Sequence, residues 1–252
     1  MPKNVSDPRD VAQQEKPLIQ PFSRRNFLNY AGLSASAMLL ATSCKKELNE
    51  NDKNAAIQKD SAVGSGHDKP KEVVNLGSGD FGILNYAYAL EQLEAAFYEQ
   101  VIATPYSGIS SKEMEYLKDV RDHEIAHREF FKNALGNRRI GGLKTNFTSI
   151  DFSSRASVLG TAKALEDTGV SAYNGAGELL ESATYLLLAG KIVSVEARHA
   201  AAIRDLLVYG SFADSSVVDG NALDVVRTPP EVLAIASNFT YTKIISNNLP
   251  TS

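Results

Sequence analysis

The feature that most constrains this chain is a pattern of acidic, aromatic and histidine residues that occurs twice. Each copy has a Glu with a Tyr seven residues later, followed further along the chain by the sequence Glu-x-x-His. The first copy comprises Glu91, Tyr98, Glu124 and His127, and the second comprises Glu166, Tyr173, Glu196 and His199. Residues three apart on a helix project from the same face. Each Glu-x-x-His can therefore direct both side chains at one metal ion.

A Glu from each of two helices, with Glu-x-x-His from each of two others, is the ligand set of a carboxylate-bridged di-iron or di-manganese bundle. Taken singly, each Glu is better interpreted as a surface charge at the edge of a helix. The two-fold repeat, which uses two of the four histidines, favours a metal site. Oxygen and imidazole ligands favour iron or manganese, so we expect two such ions. The predicted ligands are Glu91, Glu124, His127, Glu166, Glu196 and His199.

Three further residues are candidates for contact with these ligands. Glu94 lies one helical turn after Glu91 and competes with it as a ligand. Tyr98 and Tyr173 lie two turns from a ligand Glu on the same side, so each phenol is placed to hydrogen-bond a carboxylate of the opposite half. An equally good interpretation makes both tyrosines simple core aromatics. His123 points roughly 100° away from Glu124 and is interpreted as a surface residue or a neighbour of a ligand.

The hydrophobic periodicity predicts an all-α fold with four long helices. Ser110 and Glu113 form a capping box that begins the second helix, and Gly136 ends it. About twenty residues then separate the second and third helices, which suits a crossover along a bundle. The resulting architecture is a four-helix bundle, up-down-down-up with a long crossover. The predicted helices cover residues 81–102, 110–135, 156–175 and 178–209.

The sequence divides into four predicted regions, of which the bundle occupies residues 79–210. Residues 211–252 form a C-terminal extension, in which Thr228 before two prolines caps a short helix that we expect to pack on the bundle. Residues 44–78 are polar and charged and are predicted to be a disordered tether. Residues 1–43 are predicted to be an export signal.

The export prediction rests on Arg24 and Arg25, which precede a mostly apolar run that is too short to span a bilayer. The pair resembles a twin-arginine motif and implies the twin-arginine export machinery as a partner. The alternative is a short buried helix behind a chance arginine pair. Cys44, the only cysteine, closes the run as in a bacterial lipoprotein cleavage site. It predicts a lipid anchor to a membrane and a periplasmic or cell-surface location, although cleavage without lipid stays open.

The charge balance excludes one class of partner. The formal net charge is −4 at pH 7, and no basic stripe of the kind that binds nucleic acid is present. We therefore expect no nucleic-acid partner. A small homo-oligomer is compatible with the sequence, whereas a closed storage shell fits poorly with a tethered N-terminus and a long C-terminal extension.

The two copies together resemble the ferritin-like superfamily. The run from Leu90 to Tyr98, with the segments 123–131, 172–176 and 196–200, is similar to bacterial ferritin-like domain proteins related to plant desiccation-related proteins. The resemblance covers about residues 78 to 210 and implies that the six predicted ligands take the places of the superfamily's metal ligands.

The resemblance leaves the activity open, because a fold does not fix a reaction. Relatives store or oxidise iron, destroy peroxide or oxygenate substrates. The first hypothesis is an exported di-iron or di-manganese oxidoreductase acting on oxygen, peroxide or ferrous iron, and a manganese-catalase-like enzyme is one form of it. The alternative is a non-enzymatic envelope protein, a stress or desiccation factor with a structural or vestigial metal site.

Overall fold

The computed structural model describes residues 69–251. The predicted export signal, with Arg24, Arg25 and Cys44, lies outside these residues, as does most of the predicted tether. Those interpretations stay predictions. Within the described range, no helix combines the length and the apolar character that a membrane crossing requires.

Four long helices form the body of the structure. They are α1 (Gly79–Ala103), α2 (Ser111–Leu135), α3 (Arg155–Gly177) and α4 (Ala183–Leu207). Helix α1 packs along α2, α3 packs along α4, and α1 also contacts α3. The predicted all-α bundle is confirmed, and residues 136–154 form the connection between the two helix pairs.

Side-chain caps set where the helices begin. The Ser110 hydroxyl accepts a hydrogen bond from the Glu113 amide at 3.2 Å, and the Glu113 carboxylate accepts one from the Ser110 amide at 3.3 Å. This is the predicted capping box. The last long helix begins at Ala183 rather than at residue 178, because the Ser182 hydroxyl accepts from the Tyr185 amide and caps the helix there.

Residues 70–75 correct the predicted extent of the tether. They form β1 (Pro70–Lys71) and β2 (Val73–Asn75), which pair in parallel with β3 (Gly142–Leu143) and β4 (Lys243–Ile245) respectively. The next residues lead directly into α1, and Leu76 is fully buried. Composition could not reveal these strands, because each has only two or three residues and its partner lies far away in sequence.

The C-terminal strap, residues 211–251, packs on the bundle as expected, because its short helix contacts α1 and α3. Its helix α5 (Pro229–Ala236) begins after Thr228, whose amide and hydroxyl both donate to Glu231. The Arg227 carbonyl oxygen lies so close to α3 that a Cβ on Gly175 would sit 1.9 Å from it. A side chain at position 175 is therefore excluded by the strap, which explains the glycine near the end of α3.

The core of the bundle has two apolar clusters, one toward each end. The first gathers residues such as Tyr86, Phe131 and Tyr173, and the second gathers residues such as Phe97 and Leu159. On α2, α3 and α4 the predicted ligands lie in sequence between the residues of one cluster and those of the other, and on α1 Glu91 lies near the end of the first cluster, just before Leu93. The ligands thus form a polar layer inside an otherwise apolar core.

Candidate metal centre

The polar layer brings all six predicted ligands together. Helix α1 supplies Glu91, α2 supplies the first Glu-x-x-His, α3 supplies Glu166, and α4 supplies the second Glu-x-x-His. The four glutamates are completely buried, with 0% exposure. Burying an ionised carboxylate without a counter-charge is strongly unfavourable. Four such groups in one layer therefore require positive charge beside them.

The six residues form two overlapping groups with the geometry of metal sites. Within each group, one potential ligand atom per residue lies within 4.8 Å of all the others. Glu124 and Glu196 belong to both groups, and each of the other ligands belongs to one. The first group is Glu91, Glu124, His127 and Glu196, and the second is Glu124, Glu166, Glu196 and His199.

The two histidines approach the carboxylates in corresponding ways. His127 Nδ1 lies 2.8 Å from Glu196 Oε1 and 3.4 Å from Glu91 Oε2. His199 Nδ1 lies 2.8 Å from Glu124 Oε1 and 3.5 Å from Glu166 Oε2. Each histidine thus sits closest to the shared Glu of the other Glu-x-x-His motif, so the repeat in the sequence is also a repeat in space.

Eight polar atoms face one another in this layer, and among the described residues none has a hydrogen-bond partner apart from the close contacts between histidine and carboxylate given above. Buried polar groups in native proteins nearly always have one, and an exception calls for an explanation such as a bound ion. Cations at the two points where these atoms converge would satisfy all of them, and the oxygen and imidazole donors suit iron or manganese. The atoms are both carboxylate oxygens of Glu124 and Glu196, Oε2 of Glu91 and Glu166, and Nδ1 of His127 and His199.

The two predicted tyrosines occupy the remaining carboxylate oxygens. The Tyr98 hydroxyl donates to Glu166 Oε1 at 2.5 Å, and the Tyr173 hydroxyl donates to Glu91 Oε1. Each tyrosine hydroxyl therefore makes a hydrogen bond to a carboxylate of the opposite half. Each bond leaves the Oε2 atom of its Glu directed at the histidine of the same group.

Residues 79–208 match the sequence model of a family described as the ferritin-like domain. This match covers more than half of the chain. The protein belongs to the ferritin-like domain family. The matched region contains all four long helices and thus every residue of the two groups. A comparison with curated proteins finds no match, and the narrower likeness to desiccation-related proteins stays a prediction.

Burial of the ligands in this ferritin-like bundle shifts the pKa values of their side chains. Desolvation, followed by the charge of Glu196, raises the pKa of Glu91 and of Glu124. Burial is also the main cause that raises the pKa of Glu166 to about 7. Burial acts to lower the pKa of His127, but its contacts with three carboxylates outweigh this and raise the pKa to about 12. Without a metal, the histidines are therefore the cations of the layer.

His123 connects the buried layer to the surface. Its ring stacks on His199 with centroids 5.1 Å apart and an interplanar angle of 13°, and its Nδ1 lies 2.9 Å from His199 Nε2. His123 is exposed, whereas His199 is only 4% exposed. The prediction that His123 is a surface residue or a ligand's neighbour is confirmed, because it is both.

Two features near the site escaped the sequence analysis. The first is Arg204, whose buried guanidinium bonds both oxygens of Asp167 at 2.8 and 2.9 Å and also reaches Asp214 at 3.2 Å. This ties the strap to α3 at the residue after Glu166 and to α4 at five residues beyond His199. The sequence shows only that residues of opposite charge are present. Because Arg204 and Asp167 lie far apart in the chain, nothing in the sequence indicates that they pair. The second is the contact between Glu94 and Gly169, which is described below.

Proposed function

We propose that this ferritin-like protein binds two iron or manganese ions within the helical bundle and uses them for redox chemistry on oxygen, peroxide or ferrous iron. The observation that carries this proposal is the convergence of eight buried ligand atoms whose only close polar contacts, among the described residues, are with one another. The bound ions would supply the electron transfer, and the protein supplies binding, orientation and electrostatics.

The predicted ligands would hold the ions in two different ways. Glu124 and Glu196 belong to both groups, so each of them would help to hold both ions. Glu91 and Glu166 would each offer one oxygen, since the other is held by a tyrosine hydroxyl. A carboxylate with one oxygen already fixed has less freedom to reorient, so the layer is prepared for metal before metal arrives.

The burial of the layer restricts the substrate to small species. The four glutamates are inaccessible, and the side chains of His127 and His199 are 13% and 5% exposed. An organic substrate of ordinary size has no room to approach the ions, whereas oxygen, peroxide or a single ferrous ion does. The greater exposure of His127 favours approach from the α2 side.

The location is a separate part of the proposal. The twin-arginine motif at Arg24 and Arg25 supports export of a folded protein, and Cys44 supports a lipid anchor. Mass spectrometry of the mature N-terminus, isolated from a bacterial host, tests both. A lipidated Cys44 is expected, and an unprocessed N-terminus in a purified envelope fraction would overturn the anchor.

Metal content tests the central proposal. We expect close to two iron or manganese ions per chain by elemental analysis after anaerobic loading. The Glu124→Ala/Glu196→Ala variant should bind none, because each residue serves both groups. Glu115→Ala, which alters an exposed Glu on the same helix as Glu124, is the matched control and should bind as the unmodified protein does. No bound metal under either loading would overturn the proposal.

The non-enzymatic alternative has one observation in its favour. His127 and His199 each lie 2.8 Å from a shared Glu, so protonated histidines can balance part of the carboxylate charge and keep the bundle folded without metal. If the protein is a stress or desiccation factor with a vestigial site, the Glu124→Ala/Glu196→Ala variant should keep the function of the unmodified protein.

A manganese-catalase-like enzyme predicts rapid oxygen release from peroxide. A sizing column separates a small oligomer from a storage shell.

A further inference from the structure

Glu94 is a fifth buried carboxylate in the polar layer that belongs to neither metal group. It lies one helical turn after Glu91 on α1 and is only 3% exposed. Within the described residues it makes no hydrogen bond and no ion pair, although the charges of Glu196 and Glu124 act on it. An unpartnered carboxylate at such depth is costly. Its presence beside four other carboxylates calls for a positive partner.

The two-fold repeat breaks at this position in a way that makes room for Glu94. Glu94 follows Glu91 by three residues, and the residue three after Glu166 is Gly169. A Cβ placed on Gly169 would lie 2.9 Å from Glu94 Oε1 and 3.7 Å from Glu196 Oε2. The Glu94 carboxylate thus fills the space that a side chain at 169 would occupy, and the shared carboxylate of Glu196 lies next to the same space.

Glycine in the middle of a helix costs about 1 kcal/mol relative to alanine. Gly169 lies in the interior of α3 and has an ordinary helical backbone, so no turn requires it. The atoms nearest to its missing side chain belong to Glu94 and Glu196. The glycine is therefore explained by the space that the Glu94 carboxylate needs.

Charge balance indicates what a fifth carboxylate contributes. Four ionised glutamates neutralise two divalent ions, but they leave an excess of two positive charges when both ions become trivalent. A fifth glutamate halves that excess. Because uncompensated charge in a buried site is expensive, an extra carboxylate favours the oxidised state of the pair.

We propose that Glu94 is an additional carboxylate ligand of the dinuclear centre, which binds beside Glu196 in the space left by Gly169 and stabilises the oxidised ion pair. This inference rests on the proposed function, since it assumes that the six-residue site binds two ions. It concerns a residue outside the two-fold pattern and makes the two halves of the site unequal.

Cobalt(II) loading of the full chain is the test, because its visible absorption bands respond to changes in coordination and its affinity can be measured by chelator competition. We expect Glu94→Gln, which keeps the shape and removes the charge, to alter the bands and to weaken binding by about 10-fold or more. Glu99→Gln, an exposed position on the same helix, is the matched control and should change neither.

Gly169→Ala provides a second route to the same contact. The new methyl group should displace the Glu94 carboxylate and reproduce the effects of Glu94→Gln, although alanine favours the helix. In a Glu94→Ala background the same change should have no further effect on the bands or the affinity, because nothing remains to be displaced.

The outcomes separate the two proposals. Two ions bound by the unmodified protein, with bands and affinity unchanged in Glu94→Gln, would overturn the role of Glu94 and leave the dinuclear site intact. An effect of Gly169→Ala that persists in the Glu94→Ala background would also overturn it. No cobalt, iron or manganese bound by the unmodified protein would overturn the proposed function itself.

Discussion

Tyr173 on α3 donates a hydrogen bond to Glu91 on α1, across the contact between the two helix pairs. Tyr98 makes the reciprocal bond from α1 to Glu166 on α3. Each pair of helices therefore fixes a carboxylate of the other pair. The site is completed only when the pairs pack together, which couples the orientation of the ligands to the folding of the bundle.

Removing one of these hydroxyls should weaken both the fold and the site. Tyr173→Phe leaves Glu91 Oε1 without a donor, at a cost of about 1–3 kcal/mol in the free energy of unfolding, and should lower metal affinity by about 10- to 100-fold. Denaturant unfolding and chelator competition measure the two effects. Tyr86→Phe is the control, because the buried Tyr86 hydroxyl has no hydrogen-bond partner among residues 69–251. Equal effects of the two substitutions would contradict the assignment.

His123 should control the orientation of His199. If His199 binds an ion through Nδ1, its Nε2 carries the proton and donates to His123 Nδ1 at 2.9 Å. His123→Phe keeps a ring to stack and removes the acceptor, so we expect metal affinity to fall by about 10-fold or more. His123→Asn restores an acceptor and should recover part of the loss. Full affinity in the Phe variant, measured by chelator competition, would contradict this role.

The metal-free protein should lose stability as the pH rises from about 5 to 9. The pKa of Glu166 is raised to about 7 from an ordinary value of 4.5, so between these values the folded state holds a proton that the unfolded state releases. The pKa of His127 is raised to about 12, and its stabilising proton is fully present below 6.5 and lost as the pH climbs toward 12. In both intervals the folded state binds more protons, and stability therefore falls with rising pH.

Metal binding should show the opposite dependence on pH. Ions displace the protons on the ligands, so affinity rises with pH. Melting temperatures near pH 5, 7 and 9, with a chelator and with manganese, measure both trends. We expect the two curves to diverge as the pH rises, and a smaller slope for metal-free Glu124→Ala/Glu196→Ala. A metal-free melting temperature that climbs over this interval would contradict the prediction.

The ion pair that anchors the strap should contribute strongly to stability. Arg204 is 3% exposed and Asp167 is 14% exposed, so Arg204→Met leaves a poorly solvated carboxylate and should cost about 3–5 kcal/mol. It should also expose residues 211–218 to limited proteolysis, because Asp214 and Ser216 lose their bonds to Arg204. Arg198→Ala, on the same helix, removes a bond to the Ser194 carbonyl and no other hydrogen bond to the part of the chain that the structure describes. Similar losses in both variants would refute the anchoring role.

The helices and the ligands were predictable because both depend on short-range order in the sequence. A helix places residues three and four apart on one face, so Glu-x-x-His shows its geometry directly. The repeat then supplied the relation between distant segments, including the crosswise bonds of Tyr98 and Tyr173. Helix ends were predictable where a side chain such as Ser110 caps the backbone locally, and less so near residue 178, where glycines suggested an earlier start for α4.

The sequence by itself determined four amphipathic helices, the six residues that line their common core and the chemical class of ion that such donors prefer. Only the tertiary structure decided which carboxylates belong to both metal groups, how His123 stacks on His199, and why position 169 lacks a side chain. The tertiary structure also decided two further features, which are the short strands near residues 70–75 and the anchoring of the strap by Arg204. These features depend on contacts between residues far apart in the chain, and such contacts leave no periodic pattern in the sequence.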